Sequence, residues 1–111
     1  MQRIGTILLT ALLTCSALAQ SDDIAGARAV FEANINAIRQ KNLDAYLSYY
    51  LHSLLLVRGG PTGFTTGYDD FAKARGPWPE SIEASDIHLT PLQAGWVYGT
   101  YRYRVRYAGG E

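Results

Sequence analysis

Trp96-Val97-Tyr98-Gly99-Thr100-Tyr101-Arg102-Tyr103-Arg104-Val105-Arg106-Tyr107 is the stretch on which the fold class turns. Val97, Gly99, Tyr101, Tyr103, Val105 and Tyr107 fall on one face of an extended chain, and Thr100, Arg102, Arg104 and Arg106 fall on the other. Aromatic and β-branched residues at a spacing of two predict a long strand with one covered face. Upstream, Ile87 and Leu89 alternate with Asp86 and His88, and Pro91 to Gly95 supplies the turn chemistry between the two runs. Pairing across that turn sets Leu89 opposite Val97 and Ile87 opposite Gly99, so the apolar faces agree without a slip of register. The polar face then brings Asp86 towards Arg102 and Arg104.

The preceding half of the chain reads as helix. Ile24, Ala27, Phe31, Ile35 and Ile38 recur at helical spacing, with Arg28, Glu32, Asn36 and Arg39 largely elsewhere. Ser21-Asp22-Asp23 offers capping and acidic groups for the start of that helix, which ends near Lys41. Asn42 caps a second, shorter helix whose buried stripe is Leu43, Tyr46, Leu47, Tyr50 and Leu51, with Asp44 in its first turn. Leu54-Leu55-Leu56-Val57 is a continuous apolar run, predicted as a strand covered on both faces and ended by Gly59-Gly60-Pro61. Gly63 to Gly67 reads as a loop or minor strand. Tyr68 to Ala74 forms a third short helix, and Gly76-Pro77-Trp78-Pro79 breaks it.

Met1-Gln2-Arg3, the apolar run Ile4 to Leu13 and the small-x-small triplet Ala17-Leu18-Ala19 form the pattern of a cleavable signal peptide over residues 1–19. The expectation is an exported protein, periplasmic or secreted, with a single domain over residues 20–111. Cys15 raises a lipoprotein alternative, which Leu13-Thr14 fits poorly because lipid attachment favours small residues before the cysteine. Cys15 is the only cysteine, so the domain that follows holds neither a disulfide nor a thiol nucleophile. Ten basic and ten acidic side chains balance over the whole chain, and loss of Arg3 leaves nine against ten. That balance, without a charge block, predicts no nucleic acid partner and no membrane association once the leader is gone. Ala108-Gly109-Gly110-Glu111 reads as the opening of another hairpin turn. A long strand rich in Tyr, Val and Arg with an open edge is a liability, so the sequence predicts a further strand, from this chain or from a partner.

Three helices, a short strand and then long antiparallel strands resemble the cone-shaped α+β fold of the nuclear transport factor 2-like superfamily, in particular its secreted SnoaL-like branch. The likeness rests on Ala29 to Lys41 leading into Asn42-Leu43-Asp44-Ala45-Tyr46-Leu47, on Leu54 to Val57 followed by Gly59-Gly60-Pro61 and a helix started by Gly67, and on Trp96-Val97-Tyr98-Gly99-Thr100-Tyr101-Arg102. It spans nearly all of residues 24–108, and it implies three amino-terminal helices packed on a curved antiparallel sheet, with two more strands usually following. It further implies an apolar cavity between helices and sheet, and a homodimer through the sheet. The family's isomerases use an aspartate base after the second helix. Leu54 to Val57 holds no carboxylate, and Asn34 stands where a tyrosine would be needed, so steroid-isomerase chemistry is not carried over.

Two function classes follow. One is binding of a small apolar molecule in a cavity lined by Asn34, Tyr46, Tyr50, Trp78, Tyr101 and Tyr103, since tyrosine and tryptophan combine an apolar body with a polar tip. The other is an enzyme of the cyclase, isomerase or dehydratase type with His52 as base, because histidine titrates near neutral pH; against it, His52 also suits the end of a helix. A third reading takes the Arg102, Arg104 and Arg106 face as a protein-docking surface. His88 reads as a surface residue, and Asp69-Asp70 as charges complementing a helix start. Two distant histidines and no cysteine make no metal-ligand spacing, and neither a phosphate loop nor a serine-nucleophile motif is present, so no cofactor is expected.

Overall fold

A computed structural model describes residues 2–60, 63–74 and 76–110. The chain is mixed α+β: α1 (Gln2–Arg39), α2 (Leu43–Ser48), β1 (Val57–Gly60), β2 (Gly63–Thr66), α3 (Tyr68–Lys73), β3 (Ser81–Gln93) and β4 (Trp96–Arg106). β1 pairs with β2, and β3 with β4, as two separate two-stranded antiparallel sheets. Two compact units are formed, Met1–Glu32 with Ala84–Arg102, and Ala33–Glu83 with Tyr103–Glu111. Among the described residues no helix is long and apolar enough to cross a membrane.

In the first unit, α1 presents the predicted stripe: Ile24, Ala27 and Phe31 are half-buried while Arg28 and Glu32 are exposed. Ser21-Asp22-Asp23 does not start this helix, which already runs from Gln2. With no proline upstream, nothing in the backbone stops the helix before Ser21. Asp23 serves instead as an anchor, its Oδ2 accepting a hydrogen bond from the Gly95 N–H at 2.8 Å. The Phe31 and Tyr101 rings meet edge to face, 4.7 Å between centroids.

The hairpin departs from its predicted turn. β3 continues through Pro91 to Gln93, and only Ala94-Gly95 turns the chain, with Gly95 at φ 75°. Proline is admitted because β3 has a partner on one edge alone, so a missing N–H on the open edge breaks no ladder. Gly99 lies against Leu89, whose Cδ2 is 3.0 Å from where a Cβ would stand. Asp86 adopts φ 51° within β3, a left-handed interruption of the kind found at bulges. Its carboxylate reaches Arg102 at 3.4 Å as predicted; both groups are exposed, so the pair contributes little to stability.

In the second unit, α1 ends with a two-bond closure. Lys41 sits at φ 53°, its N–H donating to Ile38 O and the next N–H, from Asn42, reaching back to Ala37 O. This left-handed closure satisfies carbonyls that a helix end leaves bare. Asn42 then turns its own side chain to the next helix, Oδ1 accepting from Ala45 N at 3.1 Å. One residue thus completes two helix ends. Ile35, Ala37, Phe71 and Ile82 are the buried apolar residues, and Arg39 donates to Ile82 O across this core.

Leu54 to Leu56 is not a strand. The Ser53 hydroxyl accepts from Leu55 N, and Ser53 O accepts from both Leu56 N and Tyr68 N. Those local bonds hold a turn that competes with extended backbone. Leu54 and Leu55 are accordingly 86% and 83% exposed, and the strand begins only at Val57, pairing with Thr66. Leu51 is also exposed, because α2 stops at Ser48 and carries no stripe that far. At the other end of the unit, Tyr107 and Gly110 exchange two backbone hydrogen bonds, so the predicted turn over Ala108-Gly109 is formed.

Lys41 holds a conformation that costs a side-chain-bearing residue roughly 1–2 kcal/mol. Lys41→Gly is therefore expected to raise unfolding stability by about 1 kcal/mol, whereas Asn42→Ala is expected to lower it by about 1 kcal/mol. Urea denaturation followed by circular dichroism measures both; a destabilised Lys41→Gly would contradict the closure described.

Candidate functional site, an aromatic cluster beside Arg58

Within the second unit, three short segments deliver aromatic rings to one place. Tyr46 and Tyr50 lie four residues apart, a spacing that brings side chains together on a helical surface. Their centroids are 5.0 Å apart, and the Tyr50 hydroxyl donates to that of Tyr46 at 3.1 Å. Phe71, on the inner side of α3, meets Tyr50 at 4.6 Å and Tyr46 at 6.0 Å. Trp78 arrives from the proline-flanked segment and meets Tyr46 at 5.8 Å, nearly perpendicular. Tyr68 meets Phe71 at 6.4 Å. Edge-to-face pairs of this kind contribute roughly 0.5–1.5 kcal/mol each beyond the area they bury.

The backbone makes this convergence possible. Gly67, buried and at φ 85°, starts α3 in a conformation that disfavours a side chain. Its N–H donates to Leu56 O at 2.7 Å, and Tyr68 N to Ser53 O. The turn that displaced the predicted strand is thus what holds α3 beside the end of α2. Phe71 is 6% exposed and anchors the cluster; Tyr46, Tyr50, Tyr68 and Trp78 are half-buried.

Arg58 of β1 adds a charged group in contact with these rings. Its Cζ lies 4.7 Å from the Phe71 centroid and 5.5 Å from that of Tyr50, within cation–π range. His52, exposed, stacks on Tyr68 with centroids 3.9 Å apart.

Of the residues singled out in the sequence, the structure brings Tyr46, Tyr50 and Trp78 together and places His52 at the margin, one ring removed. Asn34 is half-buried on α1, its side chain without a hydrogen bond among the described residues. Tyr101 belongs to the other unit, against Phe31, and Tyr103 is 60% exposed. His88 is exposed on β3, and Asp69 and Asp70 stand exposed in the first turn of α3. Among the described residues no three histidine, cysteine or acidic side chains are grouped as metal ligands. Sequence reasoning missed Phe71, Tyr68 and Arg58. The three-residue spacing of Tyr68 and Phe71 in a short helix was a usable signal for the first two; nothing local marks Arg58.

No family model, no curated protein and no solved structure matches this chain.

Truncating the anchor tests the cluster. Phe71→Ala is expected to cost about 3–5 kcal/mol and to erase the near-ultraviolet circular dichroism of the packed rings. Phe71→Leu, which keeps an apolar filling, should retain a cooperative melt, and a double-mutant cycle combining it with Arg58→Gln should give a coupling of about 0.5–1 kcal/mol.

Proposed function

We propose that this chain is an exported domain of nuclear transport factor 2-like fold that binds a small apolar molecule and acts as a homodimer through its sheet. The observation that carries the reading is the convergence of Tyr46, Tyr50, Phe71 and Trp78. A ring set with one buried anchor and half-buried neighbours presents apolar surface with hydroxyl groups at its rim. Those are the ingredients of small-molecule sites, which are mostly apolar with a few convergent polar groups. The leader pattern of residues 1–19 supports export. The open edges of the two-stranded β3–β4 sheet and the exposed Trp96 and Tyr98 support a partner copy there.

The enzyme alternative gains nothing from the surroundings of His52. A histidine base needs a group that fixes its ring, and among the described residues His52 has only the stacked face of Tyr68. In the docking alternative Arg102 and Arg106 form exposed pairs with Asp86 and Glu80 and Arg104 is exposed, an arrangement that singles out no partner.

Binding is tested with a neutral solvatochromic probe such as Nile red. The expected outcome is a saturable rise in emission with the wild-type chain. Trp78→Ala and Tyr46→Ala should weaken the probe's Kd by about two- to tenfold, since each removes one aromatic contact, while His52→Gln leaves it unchanged. Absence of saturable binding by the wild type would overturn the reading.

A further inference from the structure

Arg58 is held against the rings by the face of its guanidinium or by its charge alone, and its donors are unspent. A guanidinium carries five N–H donors in a fixed fork, yet among the described residues the Arg58 side chain makes neither a hydrogen bond nor an ion pair. Arg102 and Arg106 find Asp86 and Glu80, and Arg39 donates to Ile82 O. Arg28 and Arg104 are exposed and, among the described residues, likewise without a side-chain partner, so what sets Arg58 apart is its contact with the rings of Phe71 and Tyr50. Asp69 and Asp70 adjoin Phe71 in sequence, but neither pairs with Arg58. Cation–π contact leaves the fork's preference for a carboxylate intact, because the ring engages the charge and not the N–H groups.

We infer that the ligand of the aromatic cluster is a small amphiphilic carboxylate, its acid group taken by Arg58 and its apolar body laid on Phe71, Tyr50, Tyr46 and Trp78. This rests on the apolar-binding reading above and adds the ligand's chemical class. The physical reason is the position of the cation. Arg58 is itself exposed with rings against one side, so an anion that also lays an apolar body on those rings sheds water from the charge as it binds and is attracted more strongly than in bulk water. A carboxylate meets the guanidinium fork with two parallel bonds. A neutral molecule of the same shape leaves those donors to solvent and forgoes that term.

The experiment compares cinnamate with cinnamyl alcohol by titration calorimetry, with Trp78 emission as a second readout in a Trp96→Phe background. Trp96 is exposed and lies in the other compact unit. The acid is expected to bind at least about tenfold more tightly than the alcohol, a factor corresponding to about 1.4 kcal/mol. Arg58→Gln should abolish that preference while the alcohol's Kd stays within about twofold, and Arg58→Lys should keep part of it, since lysine supplies charge without the fork. Unchanged near-ultraviolet circular dichroism checks that the rings stay packed in both variants. Equal binding of acid and alcohol by the wild type would overturn the carboxylate assignment while leaving the apolar site standing. Retention of the acid's preference in Arg58→Gln would overturn the role given to Arg58, and binding of neither compound would overturn the inference together with the reading beneath it.

Discussion

At Lys41 and Asn42 the backbone changes direction between two helices without spending a loop. The left-handed Lys41 lets the last carbonyls of α1 find N–H partners, and Asn42, having donated backward to Ala37 O, accepts forward from Ala45 N. Helix ends leave several polar backbone groups bare, so a junction this tight exists only where both ends are satisfied at once. The direction of α2 follows from it. So does the placement of Tyr46 and Tyr50, because a six-residue helix has no other means of fixing its own azimuth. Everything proposed for the aromatic cluster descends from this constraint.

A second constraint meets the first from the opposite side. The Ser53 hydroxyl and carbonyl draw three backbone N–H groups into a turn and bind the start of α3. Phe71 is thereby brought against the two tyrosines, and β1 emerges close enough for Arg58 to reach the rings. Leu54 and Leu55 are left in solvent as the consequence. Apolar residues turned outward so that a polar backbone network can form are the reverse of what hydropathy alone would dictate. The network satisfies three backbone N–H groups at once, each hydrogen bond contributing roughly 1 kcal/mol net, which offsets part of what the two exposed leucine side chains forgo.

The long hairpin illustrates a different balance. Alternation along β4 matches the predicted faces only in part, with Val97 and Val105 half-buried but Tyr101 and Tyr103 exposed. Two strands can cover little area, and aromatic side chains on such a ribbon gain shelter from neighbouring rings, as Tyr101 does from Phe31. Asp23 at the Gly95 N–H fastens the tip by one bond rather than by packing. A sheet of two strands with open edges is marginal by itself, which is why Pro91 and the Asp86 interruption are tolerated in β3.

What the sequence determined by itself lies in the short-range features. The periodicity of Ile24 to Ile38, the cap at Asn42, the third helix behind Gly67 and the strand character of Trp96 to Arg106 are all legible because each rests on residues within a few positions of one another. What only the tertiary structure decided is the meeting of Tyr46 and Tyr50 with Phe71, Trp78 and Arg58, and the exposure of Leu54 and Leu55. Ring-to-ring and cation-to-ring contacts join segments far apart in the chain, so they leave no local spacing to read. The turn at Ser53 likewise depended on Tyr68, fifteen positions later, arriving to share its carbonyl; an apolar run judged alone looks like a strand until that distant donor is in place.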